Sequence, residues 1–196
     1  MSKRFNRSGL VRLVLLGVLS GLIFLMGQTP LGLIPLGFCN VTLLVIPVAV
    51  GTLRLGWKSG LVLGGAFAAT SLVSALTRPS ALVGTLMGAS PLLMVIMTVL
   101  PRLVIPLAIW GVHALLTRMG GKWQRVAVPA AAAVGSLTNT VLYLGLMLVF
   151  YILCGIDSAS VLTAIAAVAG GAGPLEALAA AIITPPVLKA LQKIRI

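Results

Sequence analysis

Gln28-Thr-Pro-Leu-Gly-Leu-Ile-Pro-Leu-Gly-Phe-Cys-Asn40 separates two strongly apolar runs, and its reading decides how the chain is folded. Two prolines remove backbone donors and two glycines admit unusual dihedrals, so a regular helix is not expected through it. The expectation is a loop that leaves one apolar helix, dips over a binding cavity and feeds the next. Polar Gln28, Thr29 and Asn40 at its ends are candidates to face that cavity.

The apolar runs on either side set the solvent. Of 196 residues, 60% are apolar and only 8% charged, with a mean hydropathy of +1.19. A water-soluble domain carries roughly 25% charged residues. This chain cannot cover itself with a water-compatible surface, so it is expected to be an all-α integral membrane protein, one domain over 1–196. Its net charge of +12 would suggest nucleic acid in a soluble protein. Here the basic residues sit at the ends of apolar runs, which points to membrane orientation instead. Cys39 and Cys154 show no metal-ligand spacing; both fall toward the predicted outer face, where a bridge between them is conceivable.

Outward from the loop, the pattern predicts a basic tail over 1–9 and six transmembrane helices, at about 10–27, 40–53, 59–76, 91–116, 126–153 and 174–191. Roughly 20 apolar residues cross a bilayer, and somewhat shorter stretches suffice. No small-x-small cleavage site follows the first run, so it is expected to be a retained helix rather than a signal peptide. A tight turn is expected at Gly56-Trp57, and interruptions of the fourth helix at Pro101 and Pro106. The segment 77–90 reads as an apolar connector, 117–125 as a hydrophilic segment, and 154–173 as an outer loop or partial helix. Twelve of the fourteen basic residues then fall on one face, leaving Arg78 and Arg102 apart. Both termini are therefore expected on the cytoplasmic side.

Few residues can carry chemistry. Arg102 lies inside a long apolar run, where an arginine costs roughly 2.5–3.5 kcal/mol on insertion scales. It should pair with Glu176, the one acid in or near a helix, or with a ligand, and both pairings remain open. Thr138-Asn139-Thr140 puts an amide among apolar neighbours, either as interhelical glue or as ligand contacts. Glu176 could alternatively be an acid at the outer start of the sixth helix, favoured by the dipole. Gly17 and Gly21 form a small-x-x-x-small pair, for packing inside this chain or for docking a partner. The chain has no Gly-rich P-loop, no paired carboxylates and no Cys/His cluster, so no catalytic or metal site is expected. A Ser136/His113 intramembrane protease is disfavoured because the two are expected at opposite ends of their helices.

Several motifs in chain order resemble one family. They are Thr29-Pro-Leu-Gly-x-Ile-Pro-Leu-Gly37, Pro47-Val-x-Val-Gly51, Gly56-Trp-Lys-Ser-Gly60, Ser90-Pro91, Pro101-Arg102, Gly135-Ser-Leu-Thr-Asn-Thr140 and Glu176-Ala177. Together they resemble the substrate-binding (S) component of energy-coupling factor (ECF) vitamin transporters, most closely its pantothenate branch. The resemblance implies a six-helix protein in a prokaryotic cell membrane that captures a vitamin from outside. It implies partners, namely a transmembrane coupling subunit and two ATPases that use ATP, with no cofactor in this chain. It also implies toppling in the membrane to release the cargo. Family members use small residues on the first helix, typically alanines, to meet the coupling subunit, and Gly17 and Gly21 stand at those positions.

Related branches for riboflavin, folate or pyridoxine share parts of these motifs. Ring-shaped vitamins want stacking partners, but Trp57, Trp110 and Trp123 all fall in the cytoplasmic half. The outer half offers Phe38, Tyr143, Phe150 and Tyr151. An aliphatic acid such as pantothenate needs one cation and several hydrogen-bonding groups. Arg102 would take its carboxylate, and Asn139, Thr138, Asn40 and Gln28 its amide and hydroxyls, with Thr29, Tyr143 and Glu176 completing the candidate set. A stand-alone facilitator or a structural membrane subunit is the rival from another class.

Overall fold

A computed structural model describes residues 7–29, 32–35 and 40–193. It is helical apart from one short ribbon. In chain order come α1 (Arg7–Gln28), β1 (Leu33–Pro35), β2 (Asn40–Thr42), α2 (Val45–Leu55), α3 (Trp57–Thr77), α4 (Ala81–Ala89), α5 (Pro91–Met119), α6 (Gly121–Leu153), α7 (Ala159–Ala167), a π turn (Val168–Ala172) and α8 (Gly173–Gln192). Five helical stretches are long and apolar enough to cross a membrane: α1, α3, α5, α6 and the continuous run Ala159–Gln192. The sixth helix, α2, has 11 residues, about 16 Å at 1.5 Å per residue, roughly half the hydrocarbon thickness.

The described part of the connection after α1 is a ribbon rather than a plain loop. Leu33–Pro35 and Asn40–Thr42 pair antiparallel, with Ile34 opposite Val41. Asn40 is thus in a strand, not at a helix start as the sequence suggested, and α2 begins five residues later. The position of Pro47 explains the shift. A helix starting at Val45 puts Pro47 in the first turn, where a backbone N–H has no helical acceptor. A helix starting at Asn40 would have lost an interior bond there. Cys39, and with it any bridge to Cys154, lies outside the described residues.

Other boundaries move for similar reasons. Gly120 and Gly121 both take positive φ, 67° and 55°, so the chain reverses within about one residue. The cationic segment 117–125 therefore rides on the ends of α5 and α6 rather than forming a connector. α5 runs unbroken through Pro101 and Pro106. The connector 77–90 coils into α4, whose Leu82 carbonyl accepts a 2.7 Å hydrogen bond from the Tyr151 hydroxyl. After the 154–158 turn the chain is already helical at Ala159 and stays so to Gln192. The tight turn at Gly56, with φ of 90°, is where the sequence places it.

Among the described residues two large apolar clusters fill most of the bundle, with a small third at Leu144 and Val168. One gathers Leu19 and Ile23 of α1, Leu44 and Val48 at α2, Leu63 and Phe67 of α3, Ile105 and Ile109 of α5, Ala131 of α6 and Ala180 of α8. The other gathers Leu86 of α4, Met94 and Met97 of α5, Met147 and Tyr151 of α6, and Val161 of α7. At the first end α1 starts, α2 meets α3, α5 meets α6, and α8 finishes; the Arg12 guanidinium donates to the Leu55 carbonyl there at 2.7 Å. Nine basic residues gather at this end among the described residues: Arg7, Arg12, Arg54, Lys58, Arg118, Lys122, Arg125, Lys189 and Lys193. The exposed rings of Trp57 and Trp123 lie beside Lys58 and Lys122, a pairing suited to a headgroup layer.

Close backbone crossings depend on glycine. A Cβ on Gly64 would lie 2.6 Å from the Arg102 carbonyl oxygen, whereas one on Gly65 would meet nothing within 4 Å. Gly64→Ala is expected to destabilise the fold by about 1–3 kcal/mol, as overpacking does, while Gly65→Ala is neutral or stabilising by up to about 1 kcal/mol. Thermal unfolding of the two variants in detergent checks the contrast.

Candidate functional site

Between the two apolar clusters runs a layer of polar side chains. On α5, Met94 and Met97 belong to one cluster and Ile105 and Ile109 to the other; Arg102 lies between. On α6, Ala131 and Ala132 belong to one and Met147 and Phe150 to the other; Ser136, Asn139, Thr140 and Tyr143 lie between. α3 adds Thr70 and Ser71, α5 adds Thr98 and α8 adds Glu176. Arg102, Asn139 and Glu176 are only 7%, 5% and 6% exposed. Arg102 is eleven residues into α5, about 16 Å along the helix at 1.5 Å per residue.

Local chemistry shapes the Arg102 environment. Pro101 has no N–H to give the Met97 carbonyl four residues earlier, and Arg102 Nη1 reaches that carbonyl at 3.5 Å. Pro106 likewise leaves the Arg102 carbonyl without its helical donor, and that carbonyl faces Gly64 of α3. The guanidinium is held between two rings, 5.3 Å from the Phe67 centroid and 4.6 Å from that of Tyr143. Such stacking suits a delocalised, weakly hydrated cation. Arg102 thereby joins α3, α5 and α6.

The layer continues to α8. The Thr140 hydroxyl lies 3.2 Å from Glu176 Oε2 and 3.3 Å from the Ser136 carbonyl oxygen, both acceptors for its hydrogen. Tyr143, which stacks on Arg102, stands one turn from Thr140 on α6, so the cation and the acid meet neighbouring turns of the same helix. Glu176 lies in the first turn of α8, as one reading of the sequence has it, but the helix there continues from the preceding π turn. Ala159–Gln192 is helical throughout, so the N–H groups near Glu176 are not a free positive end. Three polar atoms in the layer are buried without a hydrogen-bond partner among the described residues: Arg102 Nε, Asn139 Oδ1 and Thr70 Oγ1. Buried polar atoms nearly always have partners. This layer therefore offers an unused cationic donor, an amide acceptor and a hydroxyl.

The remaining predicted residues divide. Asn139 and Tyr143 lie one turn apart on the inward face of α6, with Thr138 half-buried one position off that face. Gln28 and Thr29 are engaged in finishing α1. The last carbonyls of a helix have no helical donor; here Thr29 Oγ1 donates to Met26, Ser74 to Gly27 and Arg78 to Gln28. The Gln28 amide nitrogen sits 3.4 Å from both the Thr70 carbonyl and the Ser74 hydroxyl. Asn40 is placed in β2. Gly17 and Gly21 are exposed and a Cβ on either would meet nothing within 4 Å, so they do not pack inside this chain among the described residues. Ile109 packs where a Gly135 side chain would be, so His113 and Ser136 lie within about two turns rather than at opposite helix ends.

Sequence reasoning missed Phe67, Thr70 and Thr98. Their polar atoms or ring lie at helical spacing that reads equally as core, and only the approach of α5 and α1 gives them meaning. Tyr143 stacking on Arg102 is testable directly. A double-mutant cycle of Arg102→Met with Tyr143→Leu on thermal stability should show a coupling of about 1–2 kcal/mol, the scale of a desolvated cation–π pair. Additive effects would mean the stacking contributes nothing.

Comparison with known proteins supplies the family. The profile of the ECF transporter substrate-specific component matches residues 11–188, nearly the whole chain. No curated protein matches it. An S component is a transport subunit and not an enzyme; it serves a small-molecule substrate and works with ECF coupling and ATPase subunits. On the strength of that match and five membrane-length helices, the chain belongs to the multi-pass membrane family of substrate-specific components of ECF transporters.

Proposed function

We propose that this chain captures a small carboxylate vitamin, pantothenate before others, for an ATP-driven ECF importer. The observation that carries the reading is Arg102, a buried cation clamped by two rings with its Nε–H unused, in one layer with the unused Asn139 acceptor. A carboxylate matches the first through charge-assisted hydrogen bonds. An amide N–H or hydroxyl matches the second. Pantothenate carries all three groups and needs no stacking platform beyond what Arg102 already occupies. Riboflavin, pyridoxine and folate are the competing cargoes. In this reading the ribbon and α2 together make the second of six crossings, both termini are cytoplasmic, and the membrane is a prokaryotic plasma membrane. The cationic end of the bundle supports that orientation.

The partner face follows from α1. Leu13, Val14, Val18, Phe24 and Leu25 are exposed on it, and Gly17 and Gly21 open a strip for close helix approach. We place the coupling subunit there, with ATP hydrolysed by the two ATPases beyond it. Gly17→Leu and Gly21→Leu should each abolish co-purification with the coupling subunit while leaving ligand binding intact. Retained assembly in both would remove the docking face from α1.

Calorimetric titration of the detergent-purified protein tests the cargo. Pantothenate should bind tightly, with riboflavin, pyridoxine and folate silent. Arg102→Ala should weaken binding by at least about 2 kcal/mol, the scale for truncating one partner of a buried charge pair. Tight binding of another vitamin would keep the family and replace pantothenate; no binding by any would favour a facilitator or structural subunit.

A further inference from the structure

Among the described residues the polar layer holds one cation and one carboxyl group, of opposite formal charge. Both are buried, and they meet α6 about one turn apart, Arg102 at Tyr143 and Glu176 at Thr140. A carboxylate ligand placed on Arg102 adds a negative charge to a site that is already neutral. An uncompensated charge in a low-dielectric interior is disfavoured strongly enough that groups change protonation instead. Resting on the carboxylate reading above, we propose that the ligand enters with one proton, which Glu176 takes up. Before binding, the site holds cationic Arg102 and anionic Glu176. Afterwards it holds an Arg102–carboxylate pair and a neutral Glu176 carboxyl group. Charge is conserved at zero, and the proton comes from solvent.

The surroundings of Glu176 are built for both forms. The Thr140 hydroxyl has one hydrogen and two acceptors in reach, Glu176 Oε2 at 3.2 Å and the Ser136 carbonyl at 3.3 Å. With Glu176 ionised, Thr140 donates to it. With Glu176 protonated, Thr140 turns its hydrogen to Ser136 and accepts the new Glu176 O–H through a lone pair. Both states leave every one of these groups hydrogen-bonded without movement of a helix.

Few other ionisable groups lie on the described elements packed on α8. α6 brings Tyr143 at this level and α5 brings Arg102. α2 carries one charged residue, Arg54, at the far cationic end. β2 and the π turn have no ionisable side chain in Asn40–Thr42 or Val168–Ala172. Glu176 is also the sole glutamate in the chain, and the only other acid, Asp157, caps Ala159 in the 154–158 turn.

Titration calorimetry in buffers of different ionisation enthalpy counts the proton. With pantothenate as probe, the wild-type protein should take up close to one proton per ligand. Kd should be lowest in acid, where the free site already holds the proton, and should rise up to tenfold per pH unit above that. Pantothenol, the neutral alcohol analogue, should bind with an uptake near zero. Glu176→Gln should bind pantothenate with no uptake and a Kd that no longer follows pH. Should that variant fail to fold, an infrared difference spectrum of the wild type must show a protonated-carboxyl band appearing on pantothenate addition. Saturable pantothenate binding with no proton uptake overturns the coupling and leaves the carboxylate site standing. Failure of pantothenate, nicotinate and biotin to bind while pantothenol does overturns the carboxylate reading and the coupling together.

Discussion

A guanidinium at bilayer depth has to be solvated by protein, and much of this bundle is arranged to do so. The insertion cost of roughly 2.5–3.5 kcal/mol is modest only if the charge finds partners. Arg102 finds them on two other helices and on its own. Phe67 and Tyr143 cover its faces from α3 and α6, and its own helix provides a carbonyl that Pro101 has released. Gly64 lets α3 come close enough for the Phe67 contact, because a side chain there would strike the α5 backbone. Removing any one of these alters how the others meet.

The polar layer also divides the bundle mechanically. Lipid provides no hydrophobic force between helices, so association rests on close packing and on interhelical hydrogen bonds. The two apolar clusters supply the packing and the layer between them supplies the polar contacts. Just before Glu176 the helix widens into a π turn at Val168–Ala172, with Gly170 and Gly171 facing open space. Such widenings concentrate where a helix must present a functional side chain. α1, by contrast, buries mainly Leu15, Leu19, Ile23 and Gly27 and leaves Leu13, Val14, Val18, Phe24 and Leu25 exposed. An outer helix held this way can meet a second subunit without disturbing the site.

Of the corrected boundaries, three trace to how proline and glycine act at particular positions. Proline inside an apolar run reads as a break, yet Pro101 and Pro106 sit within an unbroken α5, where the Arg102 guanidinium reaches the carbonyl that Pro101 releases. Pro47 marks a helix start rather than a kink. Gly120 and Gly121 compress what composition suggests is a polar connector into a turn. In each case the local rule holds and the tertiary partner decides how it is satisfied.

The sequence by itself determined the membrane class, the helical architecture, the segregation of basic residues to one end, and Arg102, Asn139 and Glu176 as the residues to explain. Those follow from hydropathy and charge, which add along the chain and need no contact to be read. The ordered ribbon after α1, the half-length α2, the use of Gln28 and Thr29 in finishing α1, the Phe67–Arg102–Tyr143 stack and the Thr140–Glu176 contact were decided only in three dimensions. The Phe67–Arg102–Tyr143 stack, the Thr140–Glu176 contact and the Gln28 contacts with α3 each depend on two segments tens of residues apart meeting within a few ångströms. No pattern within one segment encodes that separation.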